Sequence, residues 1–393
     1  MLSKVALAMI GTTLAVFLGE AFLRLIPPSS PDAIVQPDSL LGWKYVPNTN
    51  ALLPAQGSES VRVHINSAGF RDAEHSMEKR PDTFRILVLG DSMVSGTAGQ
   101  PVRDQQLFTS LLQRELGDKS EIVQAAVPGW GTDQEFLYFL QEGYKYQPDL
   151  VLLAFFIGND ISDNFKPLER AGQPVHKPYF KLEENGSPAL VNKASEKPAE
   201  GPASLASQVI TSLRQHSKVY VLLHDRVYLP LVRLIWPTST PFSGATAEWY
   251  CRYFATDAAR YTPRERERAL AVTRALLTAL RDEVKARGSQ FAVVLIPQHV
   301  QIYAKERARV TESCADLRGE TIDWDIPYQM VEGVLKQEGI NYLSLLPIFR
   351  EHAEKGESLY DIPDFHLTPR GHAVTAQAIS EQNILRGTAQ SHR

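Results

Sequence analysis

Phe84-Arg85-Ile86-Leu87-Val88-Leu89-Gly90-Asp91-Ser92 is the stretch on which the fold turns. Its apolar run shows no polar alternation, so both faces are expected to be covered, as in an interior strand of a parallel sheet. It then breaks into Gly-Asp-Ser, a turn and helix-start signal. Runs of the same character occur at residues 122–126, 150–156, 291–296 and 341–345. Between these runs, residues 105–116, 132–146, 262–287 and 328–338 carry helical spacing. Thr262-Pro263-Arg264-Glu265 combines an N-cap, a proline at the first helical position and a capping-box glutamate, and Thr368-Pro369 opens a last helix. Strands alternating with helices predict an α/β fold, a parallel sheet of five strands covered by helices.

Working outward, the third and fourth strands are separated by far more chain than an ordinary crossover needs, so residues 161–261 read as an insertion within one catalytic domain spanning 81–393. Residues 181–204 of the insertion are polar, whereas 205–236 contain apolar stretches suited to a lid, an acyl groove or a packed subdomain. Residues 29–80 read as an extended or hairpin element, from the alternation at Ser60-Val61-Arg62-Val63-His64-Ile65 before Asn66-Ser67-Ala68-Gly69. Residues 1–28 form a separate segment: Lys4, an apolar run at 5–18, a continued apolar pattern to Ile26, then Pro27 and Pro28. This pattern predicts a signal anchor or signal peptide that exports the remainder, with the catalytic domain periplasmic or extracellular. Gly19 and Ala21 suit a cleavage site; Glu20 and Arg24, at i,i+4 spacing, suit an uncleaved helix.

The composition narrows the function. A net charge of −4 over 393 residues leaves no basic excess for a nucleic-acid backbone. Two cysteines, Cys251 and Cys314, are too few for a four-thiolate zinc site and allow at most one disulfide. His64, His224 and His299 are scattered and form no close metal-ligand pair, and no cofactor is expected.

Chemistry in an open parallel sheet lies beyond the carboxyl ends of its strands. Three of these ends read Gly90-Asp91-Ser92, Pro128-Gly129-Trp130-Gly131 and Gly158-Asn159-Asp160, and near the carboxyl terminus stands Asp364-Phe365-His366. A serine hydroxyl needs an imidazole base, itself oriented by a carboxylate. Ser92, His366 and Asp364 supply these roles, with Asp361 as the rival acid. The backbone N–H groups of Ser92 and Gly129 and the amide of Asn159 would form the oxyanion hole. Each motif alone has an ordinary reading as a turn, a cap or a structural histidine. Their joint order at strand ends is what favours catalysis.

Ser92, Gly129, Asn159 and His366 resemble, in order, the four signature residues of the SGNH hydrolase superfamily, the GDSL-like esterases. The resemblance covers residue 84 to the carboxyl terminus apart from the insertion, and it implies a flavodoxin-like three-layer fold. The last block departs from the familiar Asp-x-x-His, since Pro363 precedes His366 by three and Asp364 by two. That shorter spacing is similar to exported superfamily members linked to polysaccharide acetylation. Met93 and Val94 replace the family-naming leucine region, and Val94 also removes the Gly-x-Ser-x-Gly elbow of α/β-hydrolases. The absence of a Gly-rich loop after the first strand argues against dinucleotide binding. The expected function is a serine esterase acting on an O-acetyl or other carboxylic ester of a cell-envelope or exported glycan. Alternatives are an O-acyltransferase using the same triad, a lipase or lysophospholipase, and a non-catalytic glycan-binding protein stacking sugars on Trp130 and Trp249.

Overall fold

The structure is a computed structural model that describes residues 2–24, 31–55, 60–165, 177–192, 213, 217–223, 227, 262–313, 322–362, 365–382 and 384–385. In chain order, α1 (Leu2–Arg24) is followed by two hairpins, β1 (Val35–Asp38) with β2 (Gly42–Tyr45) and β3 (Thr49–Leu53) with β4 (Val61–Ile65). Next come β5 (Phe84–Gly90), α2 (Ser92–Ser95), α3 (Phe108–Leu116), β6 (Ser120–Ala126), α4 (Thr132–Gln141), β7 (Leu150–Phe156) and α5 (Asp160–Phe165). A third hairpin, β8 (Tyr179–Leu182) with β9 (Pro188–Asn192), precedes α6 (Lys218–Leu223). The chain continues through α7 (Pro263–Ala286), β10 (Gln290–Ile296), α8 (His299–Ile302), α9 (Ala304–Ser313) and α10 (Ile326–Gln337). It closes with β11 (Asn341–Ser344), α11 (Leu346–Glu354) and α12 (Pro369–Glu381).

Two compact units result: residues 1–28 with 197–247, and residues 29–196 with 248–393. In the first, the Glu20 carboxylate of α1 accepts from the Ser217 hydroxyl at 3.0 Å and from the Lys218 and Val219 amides at 2.9 and 3.0 Å. The glutamate expected to pair along its own helix thus caps the start of α6. Ile10, Leu14, Phe17, Leu18 and Phe22 of α1 are exposed. Among the described residues, no helix is long and apolar enough to cross a membrane. Cys251, Cys314, His224, Trp249 and most of residues 205–236 lie outside the described residues.

The second unit holds the sheet. Its strand order is β6-β5-β7-β10-β11 and every pairing is parallel, the flavodoxin-like order read along the chain. The three central runs form strands covered on both faces: every residue of β7 is buried, as are the last six of β5 and of β10, while the edge strand β11 buries only Leu343. The Thr262 capping box forms as its sequence predicts, with Pro263 starting α7. The predicted 60–65 hairpin is the β3–β4 pair, while the β1–β2 hairpin carries no clear alternation and was not anticipated. Ile34, Trp43, Tyr45, Leu53, Val63 and Ile65 of these hairpins bury into the same core as the sheet.

Candidate active site

The nucleophile candidate sits where β5 turns into α2. A Cβ at position 90 would collide with the Val94 side chain, so Gly90 allows the strand to enter the helix directly. Asp91 caps that helix by accepting from the Met93 amide at 2.8 Å, which leaves Ser92 as the first helical residue. His366 Nε2 lies 2.9 Å from Ser92 Oγ, although the two residues are 274 positions apart. The strand order places this contact beside the switch point between β5 and β7, where an open α/β sheet forms its crevice.

A tight loop presents His366. Tyr360 and Leu367 form an antiparallel bridge, the Asp361 amide donates to the His366 carbonyl at 2.9 Å, and the Phe365 amide donates to the Asp361 carbonyl at 2.6 Å. Phe365 adopts a φ of 69°, uncommon for an aromatic residue and sustained only where packing enforces it. That packing is a small core of Val300, Val310, Trp324 and Phe365, with the His299 ring 4.1 Å from the Phe365 ring. Burial, aided by Arg309, pushes the His299 imidazole down to about 3, so its ring is neutral. His299 is therefore a packing group against the His366 loop. Asp364 lies outside the described residues. Its rival Asp361 closes the base of the loop through its main chain.

Gly129 follows β6 with a φ of 77°, a conformation that favours glycine. Trp130 is fully buried, and its Nε1 donates to the Trp43 carbonyl at 2.9 Å. The sugar-stacking role considered for Trp130 is thus corrected: the ring is a core anchor with no face to offer a ligand. Trp43 returns the contact, donating to the Pro128 carbonyl at 3.0 Å. Arg71 donates to the carbonyls of Ser95, Gly96 and Val102, gripping the end of the nucleophile helix. Tyr45 and Thr97 share a hydroxyl hydrogen bond of 2.5 Å. The amino-terminal element, read from sequence as an extended or hairpin element, is part of the framework around Ser92 and Gly129. Isolated charged and aromatic residues at 43, 45 and 71 gave no pattern that announced this.

Asn159, at the end of β7, donates through Nδ2 to Asp163 Oδ2 at 3.0 Å and Asp91 Oδ2 at 3.2 Å. Both amide hydrogens are engaged by carboxylates in this arrangement. Behind them lies a buried group of Asp91, Asp133, Glu135, Asp160 and Asp163, with Lys177. Burial pushes Asp91 above the ordinary carboxylate range, against the Met93 amide, His366 and Asn159. It pushes Glu135 and Asp160 well above it, reinforced by the neighbouring carboxyls. Sequence reading missed this group because charged residues on helices usually mark solvated faces. Among the described residues, no three or more His, Cys, Asp or Glu side chains are arranged to hold a metal ion.

Residues 253–391 match the family described as "SGNH hydrolase-like domain, acetyltransferase AlgX". Over that stretch the chain is similar to an SGNH hydrolase-like domain. The match takes in His366 and strands β10 and β11, while Ser92, Gly129 and Asn159 precede it. Similar solved structures include a lipase/acylhydrolase from Enterococcus faecalis, at 11% identity and a TM-score of 0.39 over 77% of this chain and 97% of that one. TesA is similar at 11% identity and a TM-score of 0.36, over 77% and 98% of the two chains. A catalytic mutant of Axe2, an acetylxylan esterase from Geobacillus stearothermophilus, is similar at 12% identity and a TM-score of 0.37, over 77% and 95%. No curated protein matches the chain.

Proposed function

We propose that this protein is an exported serine enzyme acting on O-acetyl esters of a cell-envelope or exported glycan through an acyl-enzyme. The observation that carries the reading is the 2.9 Å contact between His366 Nε2 and Ser92 Oγ at the carboxyl edge of the sheet. In the proposed reaction, His366 takes the hydroxyl proton as Ser92 attacks the ester carbonyl, and the imidazolium then protonates the departing sugar oxygen. Asp364 orients the imidazole. The tetrahedral oxyanion is met by the amides of Ser92 and Gly129 and by the Asn159 N–H that turns to it from Asp91, the other N–H staying on Asp163. Water, deprotonated by His366, then releases acetate. A cavity of about 490 Å³ borders the His366 loop without being lined by Ser92 or His366; its wall mixes Gln100, Arg103, Gln106, Asp361 and Thr368 with apolar residues such as Val61 and Leu367. Export is supported by Lys4 ahead of the apolar run at 5–18, and a membrane association by the exposed apolar side chains of α1.

A second reading, transfer of the acetyl group to a sugar hydroxyl, is favoured by the acetyltransferase description of the matching family. Both readings share every residue named above and differ only in the acceptor. The test supplies the full chain with acetylated oligosaccharides, short acyl esters and phospholipids, with and without an unacetylated glycan acceptor. Acetate release identifies the esterase and acetylated acceptor identifies the transferase. A Ser92→Ala protein should lose about 10³-fold or more in either reaction. Parent-level activity in that variant would refute both readings.

A further inference from the structure

A lysine stands behind the site where serine chemistry has no use for one. Lys177 is 0% exposed, and lysine is almost never fully buried without a partner. Its Nζ lies 2.8 Å from Asp133 Oδ1 and donates to the Asp163 carbonyl at 2.9 Å. The Asp163 carboxylate accepts one hydrogen of the Asn159 amide, and Asp91 accepts the other. Asp91 in turn caps the helix that begins at Ser92. The ammonium thus holds the main chain of Asp163, whose carboxylate reaches the turn before Ser92 through Asn159 and Asp91.

We propose that Lys177 is a positioning residue for the Ser92 site: its charge keeps Asp163 ionised, and ionised Asp163 fixes the Asn159 amide against Asp91. The kinetic part of this proposal rests on the ester chemistry above; the geometric part does not. Asp163 is faced by Asp91 from the turn after β5, by Asp133 and Glu135 from α4, by Asp160 on its own helix and by Lys177 ahead of β8. Among the described residues, the fully buried side chains of α7, which packs against α5, and Phe180 of β8 are not titratable, while Arg266 in the first turn of α7 keeps its Nε buried. Five carboxyls sharing one dry volume cannot all ionise. Both Glu135 oxygens and Asp160 Oδ1 have no hydrogen-bond partner among the described residues, as suits neutral carboxyls. Burial raises Asp163 to about 7, with Lys177 opposing the rise. Ionised, it accepts from the amide N–H. Protonated, it offers an O–H instead, and Asn159 Oδ1, which has no hydrogen-bond partner among the described residues, is an acceptor within the same group. The amide then no longer has its nitrogen held between the two carboxylates. Removing the ammonium extends the protonated form to higher pH.

The test compares Lys177→Met, Lys177→Arg and Asp163→Asn in the full chain. Two quantities are followed against pH: the side-chain amide NMR signals of Asn159, assigned with an Asn159→Gln variant, and kcat and KM for a short acetyl ester. In the parent, the amide signals should titrate near neutral pH. In Lys177→Met the midpoint should rise by about one pH unit or more, with kcat near pH 7 falling about tenfold and KM little changed. Lys177→Arg should restore most of the loss. Asp163→Asn should abolish the titration whether or not Lys177 is present. Equal midpoints in the parent and Lys177→Met would overturn the proposal, as would an Asp163→Asn protein whose Asn159 signals still titrate near neutral pH. The second result stands even if Lys177→Met fails to fold. A parent with the expected amide titration but no activity on any ester would refute the functional reading and leave the positioning role intact.

Discussion

Replacing Arg71 with leucine asks how far the nucleophile depends on the amino-terminal element. The guanidinium is buried, donates to Ser95 at 3.0 Å, to Gly96 at 2.7 Å and to Val102, and pairs with Asp104 at 2.7 Å. Asp104 is 53% exposed, so this ion pair contributes at most about 1 kcal/mol. The three carbonyls matter more. Leucine fills part of the space of the arginine stem but provides no donor; the Gly96 carbonyl keeps the Val102 amide at 3.3 Å, whereas the Ser95 and Val102 carbonyls each lose their donor at about 1–3 kcal/mol. The losses are not additive, because water and local relaxation recover part of them. A net destabilisation of about 3–5 kcal/mol is expected, as when one partner of a buried polar arrangement is removed. Against a domain stability of about 5–15 kcal/mol this is a large share. The loss falls at the end of α2, so fluorophosphonate labelling of Ser92 should slow even at temperatures where the variant remains folded. Guanidinium denaturation followed by tryptophan fluorescence and the labelling rate measure the two effects. A stability change below about 1 kcal/mol together with a parental labelling rate would refute the assigned framework role.

Two further perturbations probe other parts of that framework. His75 contacts Asp72 at 3.1 Å and Glu121 at 2.8 Å; burial disfavours its charge, but the two carboxylates outweigh it and raise the imidazole above its ordinary value. Its contribution is therefore fully present below about pH 6.5 and fades as pH rises through the folded value, so His75→Gln should destabilise by about 1–3 kcal/mol at pH 5.5 and less at pH 9. Equal losses at both pH values, in denaturation curves, would contradict the assignment. Phe365→Ala should cost about 3–5 kcal/mol through lost packing with Trp324, Val300 and His299, and should slow Ser92 labelling by loosening the His366 loop. An unchanged labelling rate would show that the loop keeps its shape without that anchor.

The sheet was legible because its strands are buried on both faces, and runs such as Leu150–Phe156 can hardly read otherwise. The ends of the strands were legible for a related reason: Gly90, Gly129 and Asn159 interrupt apolar runs where a parallel sheet opens its crevice. What escaped was polar burial. Asp133, Glu135 and Lys177 look like solvated charges because their mutual compensation depends on elements distant in sequence. Arg71 escaped likewise, since its acceptors are backbone carbonyls, which exist at every position and leave no trace in the pattern. Trp130 was ambiguous because an indole serves equally as a binding platform or a core anchor, and only the Trp43 carbonyl decides between them.

The 274-residue separation between Ser92 and His366 also orders events in time. A chain made from its amino end completes the nucleophile strand and its turn long before the base exists, and the contact must wait for a late, long-range closure. Until α12 has followed His366 into place, the hydroxyl of Ser92 is ordinary alcohol. On the proposed reading, any fragment that stops before residue 366 is chemically mute at this site, so activity itself reports that His366 has been made and has closed onto Ser92.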